Sequence, residues 1–316
     1  MASLVKIVLV DTVQQCQDAV AQLFQETELG IDIEGVDLSR AGEVCLIQIC
    51  GHSNDTVFLF DIHTLQDEAF GEGRLKELLE SDVLKVFYDL RADCDALFHL
   101  HAVDVRASYD LQVLRALKFQ DPTDMYLHGL KRVLAEFLAE SGILAEAQVQ
   151  RVDAVKEQVQ ELFTPERGTE IWRARPLSPL LMDYSALDVQ FLLGMKRFWT
   201  PGDPAAAAQL QEDVMSASER RLRRFVALTP EEALHQSSKR IRDVYEASDT
   251  SRTVRVPAAR IGAVIGKKGT NIQAIRARSG AKVCIKDDVA VVVGQPAQVE
   301  AAVQLILAKI AERHDR

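Results

Sequence analysis

The sequence predicts an α/β chain, a mixed β-sheet with helices on both faces, followed by a small α+β domain of βααββα order. Three observations carry this reading. β-prone runs joined by short loops open the chain, a strand and helix alternation follows them, and a glycine-bounded turn separates two short helical patterns near the end. Short loops make antiparallel neighbours, whereas alternation with helices brings parallel strands, so the two together describe a mixed sheet.

In order, residues 5–10 form a β-prone run, and Asp11 or Thr12 can cap a helix through Phe24. Residues 31–34, 44–49 and 56–60 are predicted strands, with Gly51, Asn54 and Asp55 marking the turn between the last two. Then come a helical pattern over 73–79, a strand over 85–88, a helix from Asp89 and a helix over 110–117. Residues 127–138 are amphipathic; residues 139–160 are charged and helical in pattern, and are predicted to be a solvated insertion. A loop at Trp172 held by Pro176 leads to a helix over 181–192. The prolines and Gly202 of 201–204 break the chain, and a helical connector is expected to 250, with 219–224 as a solvated face. The domains are therefore expected at 1–200, 201–250 and 251–316.

Composition narrows the class. Nearly half of the 316 residues are apolar and about a quarter are charged, which excludes a disordered or fibrous chain. The net charge of -10 is unevenly spread: residues 251–316 hold 12 Lys+Arg against 5 Asp+Glu, so the balance there is +7 and elsewhere -17. A basic end on an acidic body points to that end as the part that meets a polyanion. The five cysteines are scattered without a C-x-x-C spacing, which suits buried thiols in a reducing compartment better than a disulfide framework or a zinc site. No apolar run approaches the roughly 20 residues of a membrane span. The first ten residues lack a charged leader region and a cleavage site, so a soluble intracellular location, cytoplasmic or nuclear, is expected.

The chemistry starts at Gly30-Ile31-Asp32-Ile33-Glu34. On a strand Asp32 and Glu34 share one face, about 6 to 7 Å apart, while the isoleucines share the other. Asp93 falls beside Leu90, Ala96 and Leu97 on the apolar stripe of its helix, whereas Asp89 and Asp95 fit a solvated face. Asp188 lies amid Tyr184, Leu187, Phe191, Leu192 and Met195, one turn after Tyr184. If these helices cover the strand face, four carboxylates converge. Such a group needs cations, and hard oxygen donors suit Mg²⁺ or Mn²⁺.

These residues resemble the DEDDy branch of the ribonuclease H-like 3′→5′ exonucleases, which includes ribonuclease D and the exonuclease domain of Werner-type helicases. The match is the D-x-E of Asp32 and Glu34, the D-x-x-x-L of Asp93 and Leu97, and the Y-x-x-x-D of Tyr184 and Asp188, with Trp172 and Arg175-Pro176-Leu177 ahead of the last motif. It covers residues 4–199. The resemblance implies that Asp32, Glu34, Asp93 and Asp188 hold two divalent ions and that Tyr184 orients or helps deprotonate the attacking water. Tyr88 stands where relatives often have His, a departure that costs no metal ligand.

Toward the end, strand 253–257, helix 258–264, the turn Gly266-Lys267-Lys268-Gly269, helix 270–279, a hairpin around Asp287-Asp288 and helix 299–310 follow in that order. A GxxG turn lets backbone approach a phosphate chain closely, and Lys267 and Lys268 add charge there. Residues 254–311 thus resemble a type I KH domain, which implies a clamp on single-stranded nucleic acid, with Ile261, Ile265 and Ile272 lining a groove for bases. The expected function is a metal-dependent 3′→5′ exoribonuclease whose KH module binds single-stranded RNA. The rival expectations are an RNA-binding adaptor with a silent exonuclease-like domain and an exonuclease acting on DNA.

Overall fold

Alternation along β2 (Glu28–Val36) sets the first unit: Ile31 and Ile33 point into the core, and Asp32 and Glu34 to the opposite face, partly exposed. The computed structural model describes residues 5–52, 56–119, 126–164, 168–235, 244 and 251–312. Asn54, Asp55, residue 4 and the expected end of the connector at 248–250 lie outside these. The chain divides into two units, Met1–Leu111 with His128–Ala207 and Leu222–Leu234, and Gln112–Leu127 with Ala208–Arg221 and His235–Arg316.

In the first unit β1 (Lys6–Val10), β2, β3 (Glu43–Gly51), β4 (Thr56–Phe60), β5 (Leu84–Phe87) and β6 (Ser108–Asp110) form one mixed sheet of order β1-β4-β3-β2-β5-β6. β2, β3 and β4 pair antiparallel, as their short loops predict. β1 joins β4 in parallel, and β5 and β6 extend the other edge in parallel. Across the β2 and β3 pair Asp32 stands opposite Gln48 and Glu34 opposite Leu46. On the core face pack α1 (Val13–Leu23), α2 (Ile62–Leu65), α3 (Leu75–Leu79) and α4 (Arg91–His101), whose Val20, Ile62, Leu78 and Leu97 join Ile31 and Ile33 in one cluster. Thr12 caps α1 in a reciprocal capping box with Gln15.

Two of the boundaries that differ from the sequence reading flank α4. Asp110, expected to begin a helix, instead ends β6 (Ser108–Asp110), too short a run to signal a strand; α5 (Leu111–Phe119) starts just beyond. The helix expected from Asp89 starts at Arg91, because Asp89 takes a left-handed φ of 65° and its carboxylate receives the Arg91 Nε at 2.8 Å.

Beyond α6 (Leu130–Ser141) and α7 (Glu146–Leu162), a single 3₁₀ turn (Glu170–Arg173) leads to α8 (Pro179–Val189) and α9 (Leu192–Trp199). The helix expected across 181–192 is therefore broken at Gln190 and Phe191. Arg175 holds the preceding loop, giving two hydrogen bonds of 2.6 Å to the buried Asp61 and one of 2.8 Å to the Trp172 carbonyl. Then follow α10 (Pro204–Val226) and α11 (Pro230–His235). The expected solvated face at 219–224 is corrected at Arg221, which is 3% exposed and donates to Gln112 Oε1 at 2.7 Å within the second unit.

The second unit contains β7 (Ser251–Arg255), α12 (Ala258–Ile265), α13 (Thr270–Ser279), β8 (Lys282–Lys286), β9 (Val289–Val293) and α14 (Pro296–Ala311), the predicted βααββα order. Its sheet runs β7-β9-β8, all antiparallel, over a core of Val256, Val264, Ile275, Val292 and Ile306.

Candidate active site

Strand alternation, then helix docking, assembles the site. β2 presents Asp32 and Glu34 on the face away from the core, and α8 lies across that face. The approach is close because of Gly30: a Cβ there would stand 3.1 Å from the Val189 carbonyl oxygen and 3.3 Å from Cys50 Sγ. The Cys50 thiol donates to that same carbonyl, so α8 is tied to the sheet one residue past Asp188. Ligand atoms of Asp32, Glu34 and Asp188 consequently lie within 4.8 Å of one another.

Packing three carboxyl groups together shifts their chemistry. Burial, followed by the charge of Asp188, pushes the Asp32 carboxyl up to about 8. Burial, with Asp32, Asp188 and Asp93 around it, raises Glu34 well above the usual carboxylate range. Asp93, buried on α4, is thus near enough for its charge to act on Glu34. Tyr184 stands one turn before Asp188, its ring 6.2 Å from that of the buried Trp172. The charge of Asp188, then burial, drives the Tyr184 phenol far above its ordinary range, so the hydroxyl keeps its proton.

Three residues at or around this group are absent from the sequence reading. Lys156, in the stretch expected to be solvated, is 10% exposed in its side chain, makes an ion pair with Asp188 Oδ1, and has Nζ 4.0 Å from the centre of the Tyr184 ring. The signal was present: Lys156 sits between Val152 and Val159 on the buried stripe of α7, where a cation needs a partner. Gln48 lies directly across from Asp32, fully buried, with neither amide atom hydrogen-bonded. Arg40 pairs with Asp95, which is 1% exposed, so the solvated place expected for Asp95 is corrected. Asp89 is likewise paired with Arg91 and mostly buried. Tyr88, the departure noted above, donates its hydroxyl to the His128 carbonyl at 2.7 Å.

The turn residues belong to the second unit. Gly266 and Gly269 adopt φ of 76° and 78°, and Lys268 is also left-handed at 55°. A Cβ on Gly266 would stand 2.7 Å from the Asn271 backbone nitrogen, so a side chain there is excluded by space as well as by φ. Lys267 and Lys268 are exposed; Ile261 and Ile265 are half-buried, and Ile272 packs into the core.

Comparison with known proteins agrees with this geometry. A family described as 3′-5′ exonuclease matches residues 7–198, and the KH domain family matches residues 251–308. The chain is similar to piRNA biogenesis protein EXD1 of Mus musculus, 29% identical over 178 residues, which are 56% of this chain and 30% of the mouse protein. The EXD1 of Danio rerio is 26% identical over 215 residues, 68% of this chain and 55% of that protein. The chain thus spans from about a third to about half the length of these relatives. Among solved structures, RNase D of Trypanosoma brucei with GMP aligns at a TM-score of 0.58 and 24% identity, covering 77% of this chain and 71% of that one. A second structure of that RNase D aligns at a TM-score of 0.57 and 23% identity, covering 78% of this chain and 83% of that one. These likenesses speak for the fold. A family match over more than half of the chain, laid on a sheet and helices that gather three of the four expected carboxylates, means that the chain belongs to the 3′-5′ exonuclease family and carries a KH domain at its C-terminal end.

Proposed function

We propose that the chain is a divalent-metal-dependent 3′→5′ exoribonuclease acting on single-stranded RNA, with its KH domain holding the substrate. The observation that carries this reading is the convergence of Asp32, Glu34 and Asp188, with Asp93 and Tyr184 beside them. The donor set fits hard cations: it is all carboxylate, and burial together with the neighbouring carboxylates raises two of its members, Asp32 and Glu34. Asp32, Glu34, Asp93 and Asp188 would hold two ions, Mg²⁺ or Mn²⁺. When bound, such ions supply an activated water and offset charge on a phosphate undergoing in-line displacement. Tyr184, whose hydroxyl keeps its proton, serves as a hydrogen-bond donor that orients the nucleophile or a phosphate oxygen, and Trp172 limits the swing of its ring. In the second unit the Gly266 to Gly269 turn, with Lys267 and Lys268, would clamp the phosphate chain, and Ile261 and Ile265 would offer apolar surface to bases.

RNA is favoured over DNA by the KH domain, by the RNA U12 complex solved for the Trypanosoma brucei RNase D, and by the role in piRNA biogenesis for which the EXD1 relatives are named. One observation favours a second reading, an RNA-binding scaffold whose catalytic site is silent: the ion pair of Lys156 with Asp188 already places a cation in the centre.

The test is a gel assay on 5′-labelled single-stranded RNA, with a matched DNA strand, in Mg²⁺ or Mn²⁺. A metal-dependent descending ladder on RNA that disappears in Asp32→Ala is expected. RNA binding without a ladder in either metal moves the conclusion to the scaffold, and an equal ladder on DNA overturns the RNA preference.

A further inference from the structure

We infer that Lys156 is a resident counter-cation of the carboxylate group, which a divalent ion must displace from Asp188 in order to bind. This rests on the metal reading above and assigns to α7 a function in controlling it.

Four observations lead to it. Lys156 is the residue of α7 that reaches Asp188, and its ammonium is at once paired with a carboxylate and stacked over the Tyr184 ring, two positive-charge-seeking groups. Its place is built: Val152 and Val159, one on each side along the helix, are 2% and 0% exposed, and α7 packs against the sheet-covering helix α8. A second ion pair, Arg151 to Asp183 at 3.4 Å, joins the same two helices on a more exposed edge. Finally, Asp188 is one of the three groups whose ligand atoms share the 4.8 Å cluster, so lysine and metal draw on the same carboxylate. A divalent ion brought to the carboxylate that already holds the ammonium stands close to a second positive charge, and the two repel in a poorly solvated site. Occupation by the ammonium and occupation by the ion are therefore alternatives, and the apparent metal affinity is reduced by the fraction of time that Lys156 holds the site.

Lysine has four rotatable bonds, so Nζ can withdraw along its stem while α7 stays packed on α8. The displaced ammonium remains beside the site, where an incoming phosphate is the available anion. Metal loading and substrate binding would then reinforce one another, each removing the partner that Lys156 would otherwise take.

The test measures Mn²⁺ binding by the full chain through the electron paramagnetic resonance signal of free Mn²⁺, for the native protein, Lys156→Gln and Arg151→Gln. A lysine holding the site nine-tenths of the time weakens binding about tenfold, so Lys156→Gln should bind about tenfold more tightly or better, and Arg151→Gln should bind like the native chain. Binding by Lys156→Gln alone also supports the proposal, with the lysine as a complete block. Equal or weaker binding in Lys156→Gln, or the same gain in Arg151→Gln, overturns it in favour of a general charge effect while the metal reading stands. No binding in any of the three overturns both. A second measurement on the native chain needs no variant to fold: acetylation of lysines followed by mass spectrometry. Mn²⁺ should increase modification of Lys156 severalfold and leave Lys267 and Lys268 unchanged; unchanged protection of Lys156 when Mn²⁺ is bound would overturn displacement.

Discussion

Asp95→Ala is the substitution that most directly tests how the site is held in place. Asp95 follows Asp93 by two residues on α4, and its carboxylate receives Arg40 Nη2 at 2.6 Å, Nε at 3.1 Å and the Arg40 backbone N–H at 3.3 Å. The side chains are 2% and 9% exposed. Arg40 also donates to the carbonyls of Phe225 and Leu228, so it is fixed from the other side and cannot follow the missing carboxylate into water. Removing one partner of a buried pair leaves the other charge uncompensated and costs about 3 to 5 kcal/mol. For a unit of this size each kcal/mol moves Tm by about 2 to 4 °C, so a fall of about 6 to 20 °C is expected. The chain's two tryptophans, Trp172 and Trp199, both lie in the first unit, so intrinsic fluorescence follows the unfolding of that unit without interference from the KH domain. Replacing both charges by apolar residues, Arg40→Met with Asp95→Leu, should recover much of the loss, since neither charge is then stranded. A cost under about 1 kcal/mol for Asp95→Ala is what an exposed pair gives, and would refute the buried arrangement.

Raised carboxyl values make the metal-free site pH-sensitive in a defined direction. Asp32 and Glu34 bind protons more tightly folded than unfolded, so their contribution to stability is full below about pH 4 and is lost as pH rises toward the folded value of about 8 for Asp32. The Tm measured in chelator should fall more between pH 5 and 8 for the native chain than for Asp32→Asn, and parallel curves would count against the clustering. Gln48→Leu removes a fully buried amide with two unsatisfied atoms and should leave Tm unchanged or raise it; a loss beyond about 2 kcal/mol by urea unfolding would mean that the amide is satisfied. Lys267→Asp with Lys268→Asp should weaken RNA binding and lower the slope of log K against log salt by about 1.4, the value for two single-strand phosphate contacts. An unchanged slope in a filter-binding titration would remove this turn from the phosphate path.

Much of the site can be read locally. A period of two puts Asp32 and Glu34 on one face, and a period of 3.6 puts Asp188 one turn after Tyr184, whatever the rest of the chain does. The same logic places Asp93 on the buried side of α4 and orders the βααββα module. Asp95 defeats it. Its helix position alone suggests solvent, and the partner that makes it buried, Arg40, is 55 residues earlier in a loop.

Sequence by itself determined the strand meander, the faces of the individual elements and the identities of the grouped carboxylates, because each depends on neighbours within a few residues. Tertiary structure decided which faces meet. It turned the charged α7 from an expected solvated insertion into the support for Lys156, through a buried stripe that has meaning only once α8 is docked against it. It likewise brought β6 into the sheet, broke the helix between Asp188 and Leu192, and set three carboxyl groups within 4.8 Å. The physical reason is common to all of these: a side chain's face follows from the local backbone, but its burial, partner and protonation follow from what another part of the chain places against it.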